Sequence, residues 1–332
     1  MFGSVLMAEK IHFVTRTEGY GGGIYGAYIS RVEGVRTVPL LEGARGGRLR
    51  RFASYYDTLY RHVRRLPEGT MTVRNVENAF FLSPRHRNVA VFHHYHPIAR
   101  SVVLRAYQKA TFTGFMRHAE KLDKIVCVSR YWYDFLKEKG IDEAKLALIY
   151  NPFEIERYAP KSEAEIAAFK RRYDLEGKPL VYIGNLQPEK GAAEVYEALR
   201  GEAVTLVASG VAQMRLPGVR HMQLGFDEYI TLLQAADVSV LMSRLHEGWN
   251  RVAHESLLCG TPVIGTGYGG MGELLRHAKQ TICRDTTQLP RLVQERLRSP
   301  GVSDATLAYV RGFDVSRFYA AWQKLFDELE AM

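Results

Sequence analysis

The sequence has few cysteines, no long apolar run and no leader-like start, and each shortage excludes a class of protein. Only three cysteines occur in 332 residues, an odd number without metal-site spacing. We therefore expect Cys127, Cys259 and Cys283 to be reduced and mostly buried, as in a cytoplasmic protein. No stretch approaches the ~20 apolar residues of a membrane-spanning helix. Glu9 and Lys10 interrupt the first apolar stretch, which is unlike a secretory signal.

The remaining sequence indicates two α/β domains. A chain of 332 residues is long enough for two cores. Short apolar strands alternate with helical patterns, which is typical of open, mostly parallel sheets. The predicted strands are 11–15, 35–40, 89–92, 125–128, 146–149, 180–183, 204–208, 238–242 and 262–264. The predicted helices include 101–121, 131–139, 162–173 and a final apolar-striped helix, 313–329.

Positive charge is concentrated in the first half. The net charge is +9, and residues 1–150 hold 24 Lys and Arg against 13 Asp and Glu. The densest part is 45–65, where apolar positions 49, 52, 56, 59, 60 and 63 follow helical spacing. This pattern predicts a basic amphipathic helix for an anionic membrane surface or an anionic acceptor, through Arg48, Arg51, Arg61, Arg64 and Arg65. The alternative is a core-facing helix with a solvated basic face. No nucleic-acid-binding module accompanies the charge.

The segment from Ser243 to Glu273 carries the most information. Glu247 follows an apolar strand, and Glu255 lies in a short helix that we expect to begin near Asn250, a favourable N-cap residue. Free N–H groups at a helix start favour phosphate, and carboxylates accept hydrogen bonds from sugar hydroxyls. The alternative is an ordinary βαβ unit with surface glutamates.

This segment resembles the donor-site signature of the retaining GT-B glycosyltransferases of the fourth family, E-G-F-G…E-A-x-A-x-G-x-P-V-I…G-G-x-x-E. The spacing holds throughout, and the matching residues are Glu247, Gly248, Trp249, Glu255, Gly260, Pro262, Val263, Gly269, Gly270 and Glu273. The resemblance implies that Glu247 contacts the donor sugar and that Glu255 binds the ribose. Asn250 replaces a family glycine. Arg251, next to Val252 in the same donor segment, is expected to reach a phosphate.

The resemblance extends to most of the chain. The segment L-V-Y-I-G-N-L-Q-P-E-K-G matches a family strand and loop, which implies that Lys190 grips the donor diphosphate and Gly184 allows close approach. Asn185 stands where the family has arginine. The implied architecture is GT-B: two Rossmann-like domains facing a central cleft. The implied domains are 1–155 for the acceptor, 156–312 for the donor, and a helix, 313–332, that crosses back to the first domain.

Glycines 21, 22, 23 and 26 follow the first predicted strand and leave room for a ligand. The resemblance implies that a glycine turn here borders the donor, so Gly22 and Gly23 are candidate donor contacts. The same letters match G-x-G-x-x-G, and Glu42 stands roughly where a dinucleotide-binding fold has its acidic residue. An NAD(P)-dependent enzyme is therefore the alternative. Residues 16–20 oppose it, because the dinucleotide fingerprint turns tightly off its strand.

Three histidines, His93, His94 and His96, follow the predicted strand 89–92. The family has a histidine here near the donor sugar, and we favour His94 or His96 for this contact. Metal binding and a structural role are the alternatives. No third ligand is evident nearby, and the resemblance implies a metal-independent reaction.

Together with these features, the resemblance implies a retaining, hexosyltransferase-type enzyme with Glu247, Lys190 and His94 or His96 as catalytic residues. The donor would be a nucleotide diphosphate sugar, with no other cofactor. The acceptor would be a glycan or glycolipid, in cell-surface polysaccharide or lipopolysaccharide synthesis at the inner membrane face. A catalytically silent binder of sugar nucleotides or anionic lipids is a further alternative, because Asn185 and Asn250 depart from the pattern.

Overall fold

The chain forms two compact units. The computed structural model describes residues 8–14, 21–41, 47–96 and 102–332. Unit 1 comprises Met1–Pro152 and Val315–Met332, and unit 2 comprises Phe153–Asp314. The predicted divisions after residues 155 and 312 lie close to these. No helix in the described ranges is long and apolar enough to cross a membrane.

The strands and helices alternate along the chain. The strands are β1 Lys10–Val14, β2 Val35–Pro39, β3 Met71–Asn75, β4 Arg87–Phe92, β5 Lys124–Cys127, β6 Leu146–Leu148, β7 Leu180–Tyr182, β8 Thr205–Ser209, β9 Arg220–Met222, β10 Val238–Leu241, β11 Val263–Gly265 and β12 Thr281–Ile282. The helices are α1 Gly21–Ile29, α2 Arg48–Arg65, α3 Val102–His118, α4 Arg130–Glu138, α5 Glu163–Arg172, α6 Ala192–Leu199, α7 Phe226–Ala235, α8 Arg251–Leu258, α9 Gly270–His277, α10 Leu289–Arg298, α11 Asp304–Arg311 and α12 Val315–Glu330.

Each unit contains a six-stranded parallel sheet. The order in unit 1 is β2-β1-β3-β4-β5-β6, and the order in unit 2 is β12-β11-β10-β7-β8-β9. The order in which the chain adds strands to each sheet therefore reverses once. The reversal lies between β1 and β3 in unit 1 and between β7 and β10 in unit 2. In open α/β sheets, ligands bind outside the carboxyl ends of the strands at such switch points.

The final helix belongs to unit 1, as the resemblance implies. Its stripe of Phe318, Trp322 and Phe326 is buried in the same cluster as Tyr25 of α1 and Val73 of β3. The Tyr25 ring meets the Phe318 ring edge-on at 5.1 Å between centroids. The spacing of apolar residues in α12 is therefore explained by packing against this sheet.

Strand β3 was not predicted, because its sequence, MTVRN, carries polar residues. Arg74 in this strand has no exposed surface. Its Nη1 donates to the carbonyl of Phe80 at 2.8 Å, its Nη2 donates to Thr72 Oγ1 at 3.2 Å, and its guanidinium lies over the Phe13 ring. Burial lowers the pKa of Arg74 to about 10, with a nearby tyrosine, Tyr55, raising it. A strand with a buried arginine does not show the alternation of apolar and polar residues by which strands are predicted from sequence.

Helix α2 forms where the apolar spacing predicts it, and its apolar face is buried. Tyr55, Leu59 and Val63 pack against Phe13 and Val38 in unit 1. Helix α2 thus faces the core of unit 1 with its apolar side and presents its basic side to solvent, which is the alternative to membrane insertion of the apolar face.

The three cysteines form no disulfide. Cys127 and Cys283 are buried, and Cys259 is half-buried. Burial is the main reason that the pKa of Cys283 is raised, and it raises the pKa of the Cys127 and Cys259 thiols well above the usual range. These thiols are consequently poor nucleophiles.

Candidate functional site

The sequence signature folds into three loops at the switch point of unit 2. Neighbouring strands β7, β10 and β11 end side by side. The loop after β7 carries Lys190, the loop after β10 carries Glu247, and the turn after β11 carries Gly269. Arg244 ties the first two loops together, because its backbone N–H donates to the carbonyl of Glu189 at 3.0 Å and its Nη2 donates to Pro188 at 2.7 Å.

Two glycines allow these loops to come so close. A Cβ on Gly191 would lie 2.0 Å from the carbonyl oxygen of Met242, and a Cβ on Gly269 would lie 2.4 Å from that of Glu247. Both glycines also have positive φ, 75° and 64°. Gly270 completes the arrangement by donating its N–H to the Glu247 carbonyl at 2.8 Å. The glycines of the signature therefore fix the backbone of Glu247.

Glu247 and Lys190 form an ion pair. Lys190 Nζ lies 2.7 Å from Glu247 Oε1, and their side chains are 31% and 15% exposed. The buried hydroxyl of Ser243 donates to the same oxygen at 2.8 Å. Ser243 is itself held by Thr266, which donates to its carbonyl at 2.7 Å. A carboxylate and an ammonium group thus meet at one point, where a ligand with hydroxyls and phosphates would engage both.

Helix α8 begins where the sequence predicts it. Asn250 is its N-cap, and the Asn250 side chain accepts a hydrogen bond from the N–H of Ala253 at 2.9 Å. The remaining free N–H groups of the first turn are a favourable place for an anion. Val252 lies in this turn and, like Tyr229, packs against the buried cluster that contains Tyr182.

Glu255 lies in the interior of unit 2 and is held by two tyrosines. Tyr229 Oη donates to one carboxylate oxygen at 2.9 Å, and Tyr158 Oη lies 3.5 Å from the other. Arg251 Nε is also 3.5 Å away. Burial raises the pKa of Glu255, whereas Arg251 and the two tyrosines lower it. A carboxylate that is fixed on several sides can accept hydrogen bonds in a defined geometry.

Arg251 contacts Phe153 and Glu255 within unit 2. Its guanidinium lies over the Phe153 ring at 4.3 Å, besides approaching Glu255. Positions 251 and 255 are one turn apart on α8, so the pair meets on one helix face. Arg251 is therefore placed to position Glu255.

Gly184 and Asn185 follow β7 as predicted. Gly184 has a φ of 77°, and a Cβ there would lie 3.3 Å from Leu241. Asn185 Oδ1 accepts the N–H of Gln187 at 3.3 Å. Asn185 thus orders the turn before Lys190 and does not supply the positive charge of the family's arginine.

Sequence reasoning missed His254, which supports the loop that carries Glu247. His254 has no exposed surface and stacks on Phe153 at 3.9 Å. Its Nδ1 accepts the indole N–H of Trp249 at 3.1 Å, and its Nε2 donates to the Val310 carbonyl at 2.9 Å. These two bonds define the neutral tautomer. Burial is the main cause that lowers the pKa of His254 to about 3.

In unit 1, the glycines and His93 meet at the start of α1. The glycines open this helix instead of forming a turn. A Cβ on Gly22 would lie 3.6 Å from the His93 ring, and Gly23 follows in the same helical turn. The buried His93 Nε2 has no hydrogen-bond partner among the described residues. Burial is the main cause that lowers the pKa of His93 to about 3. His93 is therefore a candidate contact that the sequence left undecided.

The other two histidines lie close to each other. His94 is exposed and His96 is buried, and their ring centroids are 5.1 Å apart. Within the described ranges, no three histidine, cysteine or carboxylate side chains are arranged to hold a metal ion. Glu42, Arg45 and residues 15–20 lie outside the described residues.

The arginine side chains of α2 that the structure describes are at the surface. Arg51, Arg61, Arg64 and Arg65 are exposed. Arg61 pairs with Asp57 at 3.0 Å, and Arg64 donates to Tyr60 Oη at 3.1 Å. For Arg48 only the helical backbone is described.

Comparison with known proteins covers both units. The model for the Glycosyltransferase Family 4 matches residues 7–157, and the model for Glycosyl transferases group 1 matches residues 164–300. The putative glycosyltransferase YtcC of Bacillus subtilis is 25% identical over 55% of this chain and 52% of its own length. The putative teichuronic acid biosynthesis glycosyltransferase TuaC of the same organism is 28% identical over 60% of this chain and 54% of its own length. The chain thus spans about half the length of these curated relatives.

The fold resembles solved glycosyltransferases over almost the whole chain. Anabaena HepE, crystallised with UDP-glucose, superposes with a TM-score of 0.77 at 17% identity, covering 97% of this chain and all of HepE. The predicted GT-B fold class is therefore confirmed. Since the two models together span both units and the signature residues occupy one switch point, the chain belongs to the group 1 glycosyltransferases.

Proposed function

We propose that this chain transfers a sugar from a nucleotide diphosphate sugar to a glycan or glycolipid acceptor. The observation that supports this proposal most directly is the ion pair between Lys190 and Glu247. The pair lies at the switch point of the parallel sheet of unit 2. It offers a cation for phosphate and a carboxylate for sugar hydroxyls in one place. A silent binder would require neither the Ser243 hydroxyl that holds that carboxylate nor the close approach that Gly269 allows to the backbone of Glu247.

The donor in this proposal lies on unit 2. Glu255 accepts hydrogen bonds from the ribose, and Lys190 with the first turn of α8 stabilises the charge that grows on the leaving diphosphate. Glu247 holds the sugar hydroxyls and orients the anomeric carbon. HepE was crystallised with UDP-glucose, which supports testing uridine nucleotides first.

The proposed reaction retains the anomeric configuration and uses neither a metal ion nor a protein nucleophile. The bond between the anomeric carbon and the β-phosphate oxygen breaks, and a bond from the acceptor oxygen forms on the same face. The acceptor proton passes to the leaving phosphate, so the products are a nucleoside diphosphate and the glycosylated acceptor. In this scheme the positive charge is supplied by Lys190 and the helix start.

The proposed setting is the synthesis of a cell-surface polysaccharide or lipopolysaccharide. TuaC is named for teichuronic acid biosynthesis, which supports this acceptor class. A lipid-linked acceptor would be met at the inner membrane face, and that location is part of the proposal. On unit 1, His93, His94 and His96 at the end of β4 remain candidates for substrate contacts.

The test is nucleoside diphosphate release from a panel of UDP-, GDP- and ADP-sugars, with and without glycan and glycolipid acceptors. We expect one donor to turn over, and Glu247→Gln to lower turnover by about 10²–10³-fold. Glu176→Gln, an exposed glutamate in unit 2, is the matched control and should behave as the wild type. Product anomers resolved by NMR would report retention or inversion.

Two outcomes would contradict the proposal. Full turnover in Glu247→Gln would remove Glu247 from the donor site. NAD(P) binding without any nucleoside diphosphate binding would favour the dinucleotide alternative.

A further inference from the structure

Two side chains at the carboxyl edge of the unit 1 sheet have buried polar atoms without partners. Asn78 lies in a single helical turn, Val76–Asn78, directly after β3, and Ser129 lies between β5 and α4. Neither residue has any exposed surface. In the described part of the chain, neither amide atom of Asn78 nor the hydroxyl of Ser129 forms a hydrogen bond. Buried polar atoms are nearly always paired, so these three atoms need an explanation.

A third polar group of this kind belongs to α3. Gln108 Oε1 is buried and has no hydrogen-bond partner among the residues that the structure describes. Helix α3 packs along the turn that holds Asn78. Because α3 follows β4, which lies between β3 and β5, it begins at the same edge of the sheet. The three groups therefore occupy one region of unit 1.

One aromatic cluster connects the three groups. A chain neighbour of each group belongs to this cluster or packs against it: Ala79 beside Asn78, Trp132 in the first turn of α4 after Ser129, and Phe112 one turn after Gln108. Tyr95, in the loop after β4, also packs against the cluster, and its ring stacks on that of Phe112 at 4.1 Å between centroids. Both of these rings are half-buried. Partly exposed aromatic rings thus lie beside three neutral hydrogen-bonding groups.

The fold satisfies a second buried asparagine of unit 1 completely. Asn88, at the start of β4, is 1% exposed. Its Nδ2 donates to the carbonyls of Ser83 at 2.9 Å and His86 at 3.0 Å. Leaving a buried amide unpaired, as at Asn78, destabilises the folded chain. Departures of this kind are expected at functional sites, where stability is given up for a ligand.

The chemistry of the region suits an uncharged sugar ring. Carboxamides and hydroxyls can both donate and accept hydrogen bonds, as the hydroxyls of a sugar do. Aromatic rings can cover the apolar C–H face of a sugar, and small-molecule sites commonly combine such rings with a few polar groups. The side chains concerned carry no charge at neutral pH and offer no counter-charge to a carboxylate or a phosphate: Asn78, Tyr95, Gln108, Phe112 and Ser129.

The segment after β3 provides the route to the Asn78 amide. Glu77 is exposed, and Phe81 is 45% exposed. Phe81 also has a φ of 56°, in the left-handed region that bulky residues rarely adopt. Backbone strain of this kind is often found at functional sites. A small shift of this exposed segment brings the Asn78 amide to the surface.

We propose that Asn78, Gln108 and Ser129 bind the hydroxyls of an uncharged sugar ring that stacks on Tyr95 and Phe112. This ring is the terminal sugar of the acceptor. The inference rests on the proposed function and makes its acceptor more specific, since uronic acids and sugar phosphates are disfavoured by the absence of charge on these five side chains.

The first test is saturation-transfer NMR of the full chain without any donor. The probes are the methyl glycosides of glucose, galactose, mannose and N-acetylglucosamine, with glucuronate and glucose 6-phosphate for comparison. We expect at least one methyl glycoside to bind with a millimolar dissociation constant, and the two anionic sugars to bind more weakly. Because no transfer is measured, this result does not depend on donor turnover.

Asn78→Leu separates a ligand-binding role from a structural one. The variant removes two unpaired buried atoms, so we expect the midpoint of thermal unfolding to rise by about 2–4 °C. Binding of the methyl glycoside should be lost at the same time. Asn88→Leu is the matched control, because it removes an amide that makes two hydrogen bonds. It should lower the unfolding midpoint and leave glycoside binding unchanged.

Ser129→Ala is a milder variant that should fold as the wild type. Its hydroxyl has no partner in the described part of the chain, so thermal unfolding should not change, whereas the dissociation constant for the glycoside should rise about tenfold. Ser239→Ala is the control, since the buried Ser239 hydroxyl of unit 2 is hydrogen-bonded to Ser256 at 2.9 Å. It should lower the unfolding midpoint without affecting glycoside binding.

Four results would overturn the inference. These are the absence of binding by every methyl glycoside, tighter binding of the anionic sugars, undiminished binding in both Asn78→Leu and Ser129→Ala, or a loss of stability in Asn78→Leu like that in Asn88→Leu. The last result would assign the Asn78 amide to a structural role through a buried water molecule. Donor turnover without glycoside binding would leave the proposed function standing and remove this subsite. Glycoside binding without turnover of any donor would contradict the proposed function instead.

Discussion

Lys190 Nζ lies 2.7 Å from Glu247 Oε1, although the two residues are 57 positions apart in the chain. The contact exists because Gly191 and Gly269 let the loops after β7 and β11 approach the loop after β10. In the proposed reaction, the donor inserts its diphosphate beside Lys190 and its sugar beside Glu247. The pair therefore presents both groups in a common place before the donor binds.

Lys190→Met should lower the turnover number for the preferred sugar nucleotide by about 10²–10³-fold, because one donor to the developing phosphate charge is lost. Nucleoside diphosphate release measures the effect. Lys178→Met, at an exposed lysine of unit 2, is the control. Wild-type turnover in Lys190→Met would exclude Lys190 from stabilising the leaving group.

Ser243→Ala should lower turnover about tenfold without weakening free nucleoside diphosphate binding. The Ser243 hydroxyl donates to Glu247 at 2.8 Å. Without this hydrogen bond, Glu247 holds the donor sugar less accurately in the reactive position, which slows the reaction. Calorimetric binding of the nucleoside diphosphate and steady-state kinetics separate the two effects. If nucleotide affinity and turnover fall together, the hydroxyl supports the loop in general and not the sugar contact.

Tyr229→Phe should shift the pH dependence of nucleotide binding. Burial raises the pKa of Glu255, and the Tyr229 hydroxyl lowers it. Removing that hydroxyl raises the pKa of Glu255 further. As acid is added, Glu255 is therefore protonated at a higher pH and can no longer accept hydrogen bonds from the ribose as a carboxylate. We expect the dissociation constant to begin rising at a higher pH than in the wild type. Tyr173→Phe, which removes a hydrogen bond to Glu228, should leave the profile unchanged.

His254→Gln should reduce the acid sensitivity of folding. Burial lowers the folded-state pKa of His254 from 6.5 to about 3. The unfolded chain therefore binds the proton first, and stability is full above about pH 6.5 and falls as the pH drops towards 3. The uptake of one proton by the unfolded chain lowers the free energy of unfolding by up to about 1.4 kcal/mol for each unit by which the pH falls.

Denaturant unfolding between pH 7 and 5 would measure this slope. The window lies above the range in which most carboxylates titrate. His277→Gln, at an exposed histidine, controls for the loss of a histidine. An unchanged slope in His254→Gln would show that His254 is not buried as a neutral group.

The sequence predicted the parts of the site whose chemistry is local. Asn250 as a helix cap and Glu247 in a loop after a strand follow from neighbouring residues, and the family pattern identified Lys190. The partners of Glu255 were not predictable. Tyr158 and Tyr229 lie 97 and 26 positions away from Glu255, and nothing in their own segments marks them.

The same distinction holds for the fold. Apolar spacing predicted α2, but a period does not say what covers the apolar face, and Leu59 is buried within unit 1. Strand β3 was missed because Arg74 is buried against Phe13, which comes from the distant strand β1. Tertiary partners from distant segments decide both cases.

Calorimetric titration with UDP, GDP, ADP and NAD(P) is the most direct test of the donor site. We expect one nucleoside diphosphate to bind, with affinity lost in Glu255→Ala and Lys190→Ala but kept in Glu176→Ala and Lys178→Ala. Binding of no nucleoside diphosphate, or binding that survives both site variants, would contradict a donor site built from Glu255, Lys190 and Glu247.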